Sequence, residues 1–68
     1  MSKTKEQLIA EVVEGQTPVV SVRAAAAYLG CSERTIARMC ELGKLKAIKV
    51  MSMWRVNRNA LIDYASAA

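Results

Sequence analysis

Residues 20–39, VSVRAAAAYLGCSERTIARM, constrain the fold more than any other part of the chain. They read as two short amphipathic helices joined by a tight Gly-Cys-Ser turn. Ser21 can cap a free backbone N–H at the start of the first helix. At about 100° per residue, Val22, Ala25, Ala26 and Leu29 fall on one side, with Arg23, Ala24 and Ala27 on the other. Four consecutive alanines favour helix and carry little bulk, so another helix can approach closely. Gly30 is expected to stop this helix in a left-handed conformation. Ser32 then caps the second helix, where Ile36, Met39 and Cys40 form an inward stripe. Arg34, Ala37, Arg38 and Glu41 face out, and Gly43 ends the segment.

Two arginines near the start of the second helix of a tight pair occupy the place where base edges of a DNA major groove would be met. Small Ala37 between them lets the backbone come near. The alternative is a solvated helix face, with Arg38 paired to Glu41 at i,i+3.

Charge distribution bears on that choice. The chain has 68 residues and a net charge of +4. Lys3 and Lys5 against Glu6, Glu11 and Glu14 leave residues 1–18 at −1. Arg23, Arg34, Arg38, Lys44, Lys46, Lys49, Arg55 and Arg58 against Glu33, Glu41 and Asp63 leave residues 19–68 at +5. A basic excess gathered around the helix pair fits phosphate neutralisation and counterion release. Ordinary solubility is the competing explanation. A chain of this length forms one small domain, whose core supplies about 3–5 kcal/mol of net stability.

The segment before the pair has its own helix signals. Thr4 and Gln7 form a capping-box pattern, Leu8, Ile9, Val12 and Val13 make a stripe, and Gly15 closes it. Gln16-Thr17-Pro18 reads as a linker, so residues 1–18 are expected as helix plus linker and residues 19–68 as the main domain. So short a helix is unstable alone. Its stripe should cover the main domain, the favoured reading, or meet a partner chain.

After Gly43 the apolar period switches from 3.6 to 2. Ile48 and Val50, then Trp54 and Val56, predict a hairpin with Met51, Ser52 and Met53 at its tip. A three-residue loop pairs Val50 with Trp54 and Ile48 with Val56, keeping the apolar residues on one face. That register sets Lys49 opposite Arg55, a repulsion that a phosphate lying across both would relieve. The tip methionines could touch the sugar edges of a minor groove, a neighbouring protein, or nothing. Asn57 or Asn59 caps a terminal helix whose Leu61, Ile62 and Tyr64 read as core. Arg58 at its start could reach a phosphate.

Residues 19–65 resemble the excisionase-type winged helix-turn-helix, related to the DNA-binding domain of the mercury-resistance-regulator (MerR) superfamily. The resemblance is carried by Ala25, Ala26, Leu29, Gly30, Ser32, Arg34, Thr35, Ile36, Arg38, Gly43, Leu45, Trp54, Arg55, Val56, Ala60 and Leu61. It implies a mostly α fold with a small β-hairpin wing, here with an extra N-terminal helix. It implies recognition-helix contacts to DNA from Ser32, Arg34, Thr35 and Arg38, and wing contacts from Lys49 and Arg55. Ser52, Arg23, Lys44, Lys46 and Arg58 flank these as further candidates. Two features depart from the family. Met51-Ser52-Met53 stands where glycine or basic residues are usual, and the N-terminal helix lies outside the pattern.

The expected function is therefore architectural DNA binding of the excisionase kind. Copies would associate cooperatively on DNA near an attachment site, bend it, and help a separate integrase choose excision. Bending by roughly 40–90° costs on the order of 1–6 kcal/mol, which favours several bound copies. No effector-binding region or dimerising coiled coil is evident. A small transcription regulator of the same fold is the first alternative, and a protein-interaction module meeting an acidic partner is the second. An enzyme is not expected: the chain has no histidine, no clustered carboxylate pair and no phosphate-binding glycine loop. No cofactor is implied, and two cysteines without histidine do not make a zinc site. With neither an apolar run of about 20 residues nor a signal-peptide pattern, a cytoplasmic, nucleoid-associated protein is expected.

Overall fold

The computed structural model describes residues 4–67. Their order is α1 (Lys5–Val13), β1 (Val19–Ser21), α2 (Val22–Leu29), α3 (Glu33–Glu41), β2 (Ala47–Val50), β3 (Met53–Asn57) and α4 (Arg58–Ala67). Four helices and a three-stranded antiparallel sheet of order β1-β3-β2 make a small winged helix-turn-helix.

Each helix begins at a side-chain cap. The Thr4 hydroxyl accepts from the Gln7 N–H at 3.2 Å, and the Gln7 side chain returns the bond to the Thr4 N–H at 2.9 Å. Ser21 caps α2 through the Ala24 N–H at 3.1 Å, Ser32 caps α3 through the Thr35 N–H at 3.1 Å, and Asn57 caps α4 through the Ala60 N–H at 2.8 Å. Gly30 ends α2 at φ 74° and Gly43 follows α3 at φ 75°, both in the left-handed region that glycine enters without steric cost. Helix α1 stops at Val13, before Gly15, where a Cβ would lie 2.1 Å from the Glu11 carbonyl oxygen.

One core joins all the helices and the inner face of the sheet, with Val12, Ile36, Val56 and Leu61 as its largest fully buried side chains. Leu8 and Val12 belong to it and α1 packs against α2, so α1 covers the main domain as the favoured reading expected. Val13, expected in the same stripe, is exposed, and so is Tyr64 on α4. Ala24, expected on the outer side of α2, is wholly buried together with Ala25. Successive helical residues point in directions about 100° apart, so their joint burial requires neighbours on two sides. Packing of α2 against both α1 and α3 provides them.

The hairpin register differs from the expected one. Val50 pairs with Met53, Lys49 with Trp54, Ile48 with Arg55 and Ala47 with Val56. The loop is two residues, Met51 and Ser52, both at positive φ (49° and 68°). A two-residue turn with two positive φ values matches the twist of the flanking strands, which favours it over a longer loop. Its consequence is that small Ala47, not Ile48, sits opposite fully buried Val56, while Ile48 turns outward and is 56% exposed. Strand β1, absent from the expectations, completes the sheet by pairing Val19 with Asn57, Val20 with Val56 and Ser21 with Arg55.

Candidate nucleic-acid interface

Helix α3 is anchored by buried Ile36 and Cys40 and presents Ser32, Glu33, Arg34, Thr35 and Arg38 to solvent. Ala37 between the arginines is half-buried, so no bulky side chain separates them from an approaching surface. Burial pushes the Cys40 thiol pKa up, which keeps it neutral on the inner side of this helix. The hydroxyls of Ser32 and Thr35 lie 2.9 Å apart and share a hydrogen bond. One of their two protons is thus used internally, and the other can be donated to a phosphate oxygen.

The hairpin carries the second group of candidates. Lys49 and Arg55, expected to face each other, project from opposite faces because the loop is one residue shorter. No shared phosphate between them is needed to relieve repulsion. Lys49 instead lies against its cross-strand partner, its Nζ 5.4 Å from the centroid of the Trp54 ring. A cation within about 6 Å of an indole face is attracted by the ring quadrupole. Trp54 therefore positions Lys49, a role that only the two-residue register would have revealed.

Arg55 is half-buried on the central strand, with Ser21 on one side and Ile48 on the other. With Arg23 and Glu33 it lines a cleft of about 420 Å³ between the starts of α2 and α3 and strand β3. Arg23 and Arg55 are thus brought together, with the Glu33 carboxylate on the same cleft. Lys44 and Lys46 are exposed on the segment from α3 to β2, and Ser52 is exposed at the hairpin tip. Arg58, expected at a phosphate, is engaged elsewhere. Its Nε donates to the Val12 carbonyl and its second terminal nitrogen to the Val13 carbonyl at 2.9 Å. Helix α1 has no basic residue in its last turn, and Arg58 supplies the missing donors.

Among the described residues, no group of three or more His, Cys, Asp or Glu side chains is placed to hold a metal ion. No helix among them is long and apolar enough to cross a membrane.

A tight helix pair whose second helix exposes two arginines, beside a hairpin with a positioned lysine, defines a DNA-binding domain of the winged helix-turn-helix class. A family model described as a helix-turn-helix domain matches residues 19–68, and the chain belongs to that family. The match starts at β1 and leaves α1 outside. No curated protein and no solved structure matches the chain.

Proposed function

We propose that the protein is an excisionase-like architectural DNA-binding protein, with α3 in a major groove and the β2–β3 hairpin at an adjacent minor groove. Arg34 and Arg38 read base edges, Ser32 and Thr35 contact the backbone, and Lys49, Ser52, Arg55, Arg23, Lys44 and Lys46 line the phosphate path. The observation that carries this reading is the exposure of Arg34 and Arg38 on a helix whose opposite side is locked into the core. The sequence resemblance over residues 19–65 supports the excisionase role: several copies bind cooperatively near an attachment site, bend the DNA and direct an integrase toward excision. Such a protein works in the cytoplasm, on the nucleoid.

Footprinting on the DNA flanking the protein's own gene tests the proposal. Tandem protected sites beside an attachment region are the expected result. A single isolated operator would assign the same fold to transcription regulation. Failure to bind any duplex at low salt would leave a protein-interaction module as the remaining reading.

A further inference from the structure

The hairpin does not look like a surface that only touches phosphates. Ile48, Val50 and Met53 are exposed, and Ile48, Val50 and Met53 share the outward face of the hairpin. They lead to Met51 at the tip, which is 92% exposed, more than any other large apolar side chain among the described residues. Met51 also holds a backbone φ of 49°, in the left-handed region that favours glycine. A long apolar side chain is thus kept at the end of the hairpin against both its hydration and its backbone preference.

We propose that Met51 is an apolar wedge that enters between stacked base pairs from the minor groove of the bound duplex and kinks it. The inference rests on the DNA-binding part of the proposed function and does not depend on the excisionase role. The argument for DNA as the occupant is charge complementarity. Lys49 sits two residues before Met51, Arg55 lies farther along the same hairpin, and residues 19–68 carry a net +5. An apolar tip on a hairpin that carries one cation on each face, Lys49 on one and Arg55 on the other, matches an apolar stack of bases between two anionic strands. Apolar side chains, methionine among them, wedge open base steps in this way in minor-groove proteins, at the expense of stacking. Methionine suits the task because its thioether is slender, flexible and polarizable against aromatic rings. Pyrimidine–purine steps unstack most readily, so the wedge also confers a preference for TA or CA at a position α3 does not read.

The test uses the full chain and duplexes spanning the footprinted site, each with one 2-aminopurine at a successive step, together with bend angles from end-to-end fluorescence transfer. The wild-type protein is expected to raise 2-aminopurine fluorescence at one pyrimidine–purine step and to bend the duplex by roughly 20–90°. Met51→Ala and Met51→Gly are expected to lose both signals while still binding, and Met51→Leu to keep them. Glycine accepts φ 49° without strain, so Met51→Gly retains the fold, which thermal melting checks. Binding by wild type with the same fluorescence and bend as Met51→Gly would overturn the wedge and leave the DNA-binding reading intact. The same result accompanied by loss of self-association in Met51→Gly would assign the tip to a protein contact, and so also overturn it. Absence of binding by the wild type to any duplex would overturn both.

Discussion

Arg34 and Arg38 lie one turn apart on α3, on the side opposite Ile36 and Cys40, and that opposition fixes what each can do. An arginine that reads a base edge contributes about 1–3 kcal/mol of discrimination. Arg34→Ala is therefore expected to narrow the gap between cognate and random duplex by about 5- to 150-fold in titrations at fixed salt. Equal loss on both duplexes would make Arg34 a phosphate contact. On the inner side, burial holds the Cys40 thiol neutral by raising its pKa in the folded state. A raised folded pKa contributes stability that is complete below the unfolded thiol pKa and is lost as pH rises through the folded one. Cys40→Ala is expected to melt lower at neutral pH, yet to lose stability less steeply on the alkaline side. Parallel alkaline slopes for the two proteins would show that the fold does not hold the thiol neutral.

Among the elements, α1 and the hairpin departed furthest from a local reading. Helix α1 ends without a basic residue of its own, and Arg58, 46 residues beyond Val12, closes its carbonyls. Hydrogen bonds to a charged group contribute about 1.5–3 kcal/mol. Arg58→Ala is expected to lower the melting temperature by on the order of 10 °C, and Arg58→Lys to recover only part of it, because a single ammonium nitrogen does not reproduce the planar pair of nitrogens that meets the two carbonyls. An unchanged melting temperature for Arg58→Ala would detach the fold's stability from this contact. The caps at Thr4, Ser21 and Ser32 and the stop at Gly30 were legible because cap and partner lie within four residues of each other. Arg58 was not, since no local pattern distinguishes a guanidinium aimed at a phosphate from one aimed at a distant helix end. The hairpin register is hidden from a local reading for a related reason. Alternation alone favours keeping Ile48 and Val50 inward, whereas the two-residue loop sets Ala47 opposite fully buried Val56 and turns Ile48 and Val50 outward. Strand β1 went unseen because three residues carry too little pattern, and only its pairing with β3 defines it.

The Cα trace of the described residues spans 28 × 28 × 22 Å, and one helical turn of B-DNA rises about 34 Å. One copy is thus of the order of one turn, and if several copies bind along one face of the duplex they are expected at site spacings of about 10–10.5 base pairs or a multiple. Footprints with irregular spacing would argue against stacking along a single face. At this scale the basic partition, the helix pair and the packing of α1 on the main domain were readable from sequence, while the joining of β1 to the sheet was not. Strand β3 ends at Asn57 and α4 begins at Arg58, with no residue between them to act as a hinge. Asn57 belongs to the sheet and caps α4, and Arg58 grips α1. If the hairpin tip meets a duplex as proposed, a load applied there would pass down β3 into α4 and on to α1, so that the body of the protein would brace the hairpin as a lever.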